Sequence, residues 1–350
     1  MLFSETISEI LKVKYPIIQA PMFGVSTPEM VEAAAKAECL GSLALADLSA
    51  EKSVELIRKT KSLTNQPFAV NIFVHQIPEI TDELKQQYSK TKKYLENLAQ
   101  ENNMEVHLPE LESLKINSYH EQIDAIIDEN CEILSFTFGN LDHQNIQKLK
   151  KNGTVLIGTC TSVEEALALE KSGIDIICVQ GIEAGGHRGS FVSENIPQIG
   201  GFSLLSQVYD SVKVPLIYAG GIYNGKTLAA AKQLGAQGFQ IGSLLLASQE
   251  SALKEFEKGR LKNINEKDII LTKSFSGRYA RGIKNKFIET IENSQYILPY
   301  PYQNKLTGEM RRIAKTVKND EFVNLWVGQS IIDYSELSTQ VILEKLIQEY

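Results

Sequence analysis

Eight short apolar segments, each followed by a stretch of helical pattern, run through the first 258 residues. That count predicts an α/β fold of the (β/α)8 TIM-barrel type rather than an open doubly wound sheet. Two further observations agree. The unusual, glycine-bearing loops follow the segments, at the end of a barrel where such loops converge on a ligand. Glycine turns also follow the seventh and eighth segments, where barrels commonly bind phosphate.

The first strand is Pro16–Ala20, and its loop carries Pro21-Met22-Phe23-Gly24. Thr27 then caps a helix with Pro28 in its first position and Met30, Val31, Ala34 and Ala35 on the inner face. Leu40–Leu45 is the second strand, and Ser49 opens a helix to Lys61. Phe68–Phe73 is the third, Glu132–Phe136 the fourth, followed by a helix from Asp142 to Lys151. Thr154–Gly158 is the fifth, with its helix from Ser162 to Ser172. Ile174–Gln180, rich in β-branched residues, is the sixth, with a helix from Ser203 to Asp210 beyond its loop. Val214–Tyr218 precedes a helix from Gly225 to Leu234, and Gly238–Ile241 precedes a mainly helical Ser243–Lys258.

Between Gln76 and Asn117 the rhythm pauses in a charge-dense insertion, helical over Glu83–Asn97, of the size of a lid or a solvated decoration. Residues 259–350 hold no further βα unit and are expected to form a mainly helical cap on the 1–258 barrel. Their densest motif is Phe275-Ser276-Gly277-Arg278-Tyr279-Ala280-Arg281-Gly282.

Composition narrows the function. Apolar content of 43%, charged content of 23% and a net charge of −7 describe an ordinary soluble domain without the basic face of a nucleic-acid binder. No apolar run nears the roughly 18 residues of a membrane span, and no signal peptide is visible, which points to the cytoplasm. Cys39, Cys131, Cys160 and Cys178 stand apart, without metal-ligand spacing, and are expected to be small buried hydrophobes; no metal is expected.

The loop Gly181-Ile182-Glu183-Ala184-Gly185-Gly186-His187-Arg188-Gly189 places four glycines, an imidazole and a guanidinium at the end of the sixth strand. Gly220 and Gly221 after the seventh strand, with Gly242 and Ser243 after the eighth, offer unencumbered amides and a hydroxyl to a phosphate. No Walker-type loop is present, so a planar phosphorylated cofactor fits better than a nucleoside triphosphate. FMN matches: its phosphate would meet those turns and its ring would lie over Ala20-Pro21-Met22. Asn71 and Gln180, at strand ends, could bond ring or ribitol atoms, or serve as structural strand-end bonds.

Taken in order, Gln19-Ala20-Pro21-Met22, Gly24–Glu29, the Asn71 strand, Ser135–Gly139, Glu183–Gly189, Ala219–Ile222, Ser276–Gly282 and Pro299–Gln303 resemble the nitronate monooxygenase family across nearly the whole chain. The resemblance implies a TIM barrel with an extra subdomain that holds FMN. It implies contacts from Asn71, Gln180, Gly185, with Gly186 beside it, Gly221 and Gln240-Ile241-Gly242-Ser243, and a catalytic His187. It also implies oxidation of small anionic alkyl nitronates, such as propionate 3-nitronate, by O2 to a carbonyl compound and nitrite. Some members carry His where this chain has Thr137.

His187 would hydrogen-bond a nitronate, offer charge when protonated, or act as general base on a neutral nitroalkane. Arg188, on the same loop, is expected to diverge from the site. Tyr300 and Tyr302 either close the pocket or pack in a Pro-Tyr-Pro-Tyr turn. The rival readings are an FMN- and NADH-dependent enoyl-acyl-carrier-protein reductase, an NADH:quinone oxidoreductase, and a non-catalytic phosphate-ligand barrel. Monomer and homodimer are both compatible with the sequence.

Overall fold

Each predicted strand exists, because runs such as Phe68–Phe73 are too short and too β-branched to make a stable helix. The molecule is described here by a computed structural model over residues 5–193 and 195–350. The parallel strands are β1 (Ile17–Gln19), β2 (Gly41–Ala46), β3 (Phe68–Phe73), β4 (Ile133–Thr137), β5 (Val155–Cys160) and β6 (Ile176–Gln180). After a two-residue strand β7 (Gly186–His187) outside the barrel come β8 (Leu216–Ala219) and β9 (Gly238–Ile241). Their order is β1-β9-β8-β6-β5-β4-β3-β2. A parallel bridge between Ile18 and Leu40 joins the two ends, with the Gln19 amide donating to Leu40 O at 2.9 Å.

Side chains alternate along each strand. Ile18, Ala69, Ile133, Ile157, Cys178 and Ile217 fill one layer with Ile7 and Leu11 of α1 (Glu5–Leu11), which the sequence pattern did not reveal. The intervening residues, among them Val70, Leu134, Val179 and Ile241, meet the surrounding helices. Those helices are α2 (Pro28–Lys36), α3 (Ala50–Leu63), α5 (Tyr119–Asp128), α6 (His143–Lys151), α7 (Val163–Lys171), α8 (Gly201–Ser211) and α9 (Gly225–Gln233), with α4 (Asp82–Glu101) in the insertion. Thr27 and Ser49 cap α2 and α3 as expected, accepting from the amides of Met30 and Lys52.

Beyond β9 the chain departs from the expected Ser243–Lys258 helix. Only a turn of 3-10 helix, Ser243–Leu245, precedes α10 (Glu255–Leu261). The intervening backbone is claimed by the loop after β1: Ala252 N donates to Val25 O at 2.9 Å and Thr27 Oγ1 to Glu250 O at 2.8 Å. Those bonds replace helical ones.

The insertion helix α4 (Asp82–Glu101) does not decorate the surface. Leu84, Tyr88, Leu95 and Leu98 share a second core with Phe275, with Phe287 and Ile288 of α11 (Lys286–Ile291), and with Leu306 and Met310 of α12 (Tyr302–Thr316). The C-terminal part is less purely helical than expected, since β10 (Ile269–Thr272) and β11 (Ala280–Ile283) form a three-stranded antiparallel sheet with β7. The last helix, α13 (Thr339–Gln348), returns to the barrel core through Ile342, Leu343 and Leu346.

Candidate active site

The loop after β1 is fixed before it meets any ligand. Gln19 is fully buried; its Oε1 accepts from Ser42 N at 3.0 Å and its Nε2 donates to Ser26 Oγ at 2.9 Å and to Ala20 O. Ser26 Oγ in turn accepts from Met22 N at 2.9 Å. Ala20, Pro21 and Met22 are thereby held along the edge of a cavity of about 500 Å³, within the range of small-molecule sites.

Glycines shape much of the remaining wall. A Cβ on Gly185 would lie 2.6 Å from the backbone of Val327 and Gly328, so only glycine lets these two strands of chain approach. Gly221 takes φ +65° and Gly220 φ +139°, conformations that side chains disfavour. The backbone amides of Gly220, Gly221, Ile222 and Gly242 donate to no acceptor among the described residues. All four residues line the cavity, so their unpaired amides are donors that a bound anion could satisfy. Ser243 Oγ accepts from Gly328 N at 2.9 Å, which ties the 324–330 segment to it.

His187 is placed by a clamp and a rest. Gln180 donates from Nε2 to His187 O at 2.9 Å and accepts at Oε1 from Gly189 N at 2.9 Å. The imidazole stands edge-on to Phe138, Phe73 and Trp326, its centroid 5.4, 6.4 and 5.5 Å from theirs. Its Nε2 lies 2.8 Å from Ser276 Oγ. Ser276 donates to Arg278 O at 3.1 Å, so its hydroxyl accepts from Nε2–H and the lone pair stays on Nδ1. Burial, and then the Arg278 and Arg311 guanidiniums, push the His187 pKa down to about 3. The ring is neutral at neutral pH, so of the roles the sequence left open, the charged one is not the resting state.

Ala20, Pro21, Met22, Asn71, Gln180, Gly185, Gly186, His187, Gly220, Gly221, Gln240, Gly242 and Ser243 all line this one cavity. Ile241 does not: its side chain faces the sheet–helix core, and only its backbone neighbours the site. Gln240 makes no side-chain hydrogen bond with the described residues, whereas both amide atoms of Gln180 are engaged in the clamp. Asn71 donates to Ser135 Oγ at 2.8 Å.

Arg188 diverges, 1% exposed, donating to Gly181 O at 2.6 Å and Gln180 O at 3.0 Å behind the loop. Neither tyrosine lines the cavity. Tyr302 donates to Pro78 O at 2.6 Å, and Tyr300 packs 4.6 Å from His75 with its hydroxyl unpartnered among the described residues. Thr137 lines the wall, so His187 is the one imidazole there among the described residues. Sequence reasoning gave no role to Ser276, Arg311, Asn324, Trp326 or Gly328. Ser276 lay inside a motif already conspicuous, and Asn304, Gly308, Arg311 and Lys315 recur at helical spacing, a pattern that means something only once α12 is known to face the barrel.

A family model described as nitronate monooxygenase matches residues 4–349. The chain is 38% identical over 334 residues to a probable nitronate monooxygenase of Staphylococcus aureus, covering 93% of this chain and 91% of that one. A probable nitronate monooxygenase of Staphylococcus saprophyticus is 36% identical over 357 residues, covering 100% and 98%. The solved nitroalkane oxidase of Streptomyces ansochromogenes superposes with a TM-score of 0.88 at 32% identity, over 99% of this chain and 97% of that one. FabK of Thermotoga maritima, at TM-score 0.75 and 23% identity over 98% and 95%, shares the fold. A glycine-built cradle and a single oriented imidazole in one barrel mouth thus coincide with similarity over almost every residue: the chain is an oxidoreductase and belongs to the nitronate monooxygenase family.

Proposed function

We propose that the cavity binds FMN and that the protein oxidises small alkyl nitronates, propionate 3-nitronate among them, with O2 to a carbonyl compound and nitrite. The observation that carries this reading is the set of unpaired amides at Gly220, Gly221, Ile222 and Gly242 in the same cavity as His187. Those amides and the Ser243 hydroxyl fit a phosphate, and the unengaged Gln240 amide fits polar ring or ribitol atoms. Bound FMN would supply the electron transfer and the O2 chemistry.

The protein's own share is orientation and charge. A nitronate is an anion entering a site where Arg278 and Arg311 already lower the His187 pKa. Their field, rather than a protonated imidazole, favours it. His187 presents its Nδ1 lone pair, the position from which a neutral nitroalkane would lose its α-proton. Phe73, Phe138 and Trp326 flank the imidazole and would limit water beside it once a ligand fills the cavity.

His187→Asn is expected to retain bound flavin, seen in the visible spectrum, and to lose turnover by roughly 10²–10⁴-fold in oxygen uptake with a neutral nitroalkane. Undiminished uptake would remove His187 from the mechanism. Colourless protein would remove FMN, and NADH consumption with a crotonyl thioester would favour an enoyl reductase.

A further inference from the structure

Three cationic side chains of α12 reach the cavity: Arg311, Arg312 and Lys315. Two have carboxylate partners, Arg312 with Glu309 at 2.6 Å and Lys315 with Glu257 at 2.9 Å. Lys305, on the same helix, takes Asp47 at 2.6 Å. Arg311 has no carboxylate within bonding distance among the described residues; Asp47, which attracts it from further off, is bonded by Lys305. Its Nη2 donates to Asn304 O and Oδ1, each at 2.8 Å, its Nη1 to Asn324 Oδ1 at 3.1 Å and its Nε to Thr307 O at 3.4 Å. All four acceptors are neutral, and they use four of the five guanidinium N–H groups, leaving one on Nη1. A partly buried guanidinium with no carboxylate bonded to it carries a desolvation cost that a ligand's anion would offset.

The position of Arg311 along the cavity decides which anion. Residues 324–328 run extended beside β11: Trp326 bridges Gly282, Ile283 N donates to Leu325 O at 2.9 Å and Val327 N to Arg281 O at 3.2 Å. Alternate residues on this strip mark three stations. Gly328 meets Ser243 at the amide cradle, Trp326 faces His187, and Asn324 holds Arg311. At roughly 3.3 Å per extended residue, the two anchor residues Gly328 and Asn324 are on the order of 13 Å apart along the strip, with the imidazole station between them. An anion at Arg311 is therefore not the phosphate in the cradle.

We infer that Arg311, held by Asn304 and Asn324, is a specificity-determining subsite for an anionic group, a carboxylate in the first instance, on the substrate's non-reacting end. This assignment rests on the proposed nitronate reading for what reacts at His187, but the subsite can be tested without turnover. Trp326 is the chain's single tryptophan and stands between the two ends, so its fluorescence reports occupancy.

Holoenzyme would be titrated with 3-nitropropionate and with 3-nitropropanamide, equal in size and differing in charge. The carboxylate is expected to bind roughly ten- to hundredfold more tightly, the span of a charge-assisted hydrogen bond. Arg311→Gln should abolish that ratio, and Arg311→Lys should keep part of it. Oxygen uptake should follow: Arg311→Gln raises KM for propionate 3-nitronate several-fold more than for propyl-1-nitronate, which lacks the carboxylate and loses only the guanidinium's field. Equal binding of acid and amide by the unaltered enzyme, or equal weakening of both by Arg311→Gln, overturns the subsite. A charge preference that survives in a protein inert toward every nitronate overturns the proposed activity and keeps the subsite.

Discussion

Ser276 shows how a side chain can serve a reaction through its neighbour. With its hydroxyl donating to Arg278 O it accepts from His187, and the tautomer assigned on that network carries its lone pair on Nδ1. Ser276→Ala removes that acceptor and leaves the imidazole free to place its proton on either nitrogen. The expected result is a drop in kcat of about tenfold with neutral nitroalkane, KM nearly unchanged, and a smaller drop with pre-formed nitronate, which needs no base. Ser276→Thr should restore most of the rate. Parallel losses with both substrates, unrescued by threonine, would reduce Ser276 to packing.

At the scale of elements, the site is a contact between two stretches of backbone. β7 and the 324–328 segment approach so closely that Gly185 admits no Cβ, while at Gly186 the space is open and only its φ of +75° resists a side chain. Gly185→Ala should push the segments apart, with loss of bound flavin and of about 1–3 kcal/mol of stability. Gly186→Ala should cost about 1–2 kcal/mol and keep the colour better, because only left-handed strain is added. Flavin absorbance per mole and thermal melts of the two variants decide this. The same contrast explains what the sequence made legible. Strands such as Phe68–Phe73 declare themselves by a run of β-branched and aromatic residues, and the loops that follow them inherit their positions. β7 is two residues long, Gly186-His187, with no period to detect, and it exists only because β11 pairs with it. The Leu244–Ala247 run reads as helix until Val25 and Thr27, distant in sequence, take over the following backbone. Arg311 was invisible for a related reason: its meaning lies in the carboxylate it lacks, which only the folded contacts reveal.

At the scale of the molecule, two histidines are held neutral by their surroundings, and that couples stability to pH. His75 is 9% exposed, neither ring nitrogen has a hydrogen-bond partner among the described residues, and burial lowers its pKa to about 4, against an opposing pull from Asp47. His187 is lower still, at about 3. In the unfolded chain both would titrate near 6.5. Between roughly pH 6.5 and these folded values the unfolded state binds protons that the folded state refuses, so stability rises with pH across that window and is level above it. The His75 share of the loss, on going from neutral pH to below pH 4, is at most about 3 kcal/mol. His75→Leu removes that share and two unpaired ring nitrogens together. Its melting temperature should match or exceed that of the unaltered protein at pH 7, and the gap should widen on acidification to pH 4.5, with the residual slope coming from His187 and the carboxylates. A gap that is constant from pH 7 to 4.5 would mean that His75 is protonated in the folded protein, with the edge of Tyr300 and the Asp47 carboxylate accommodating the charge.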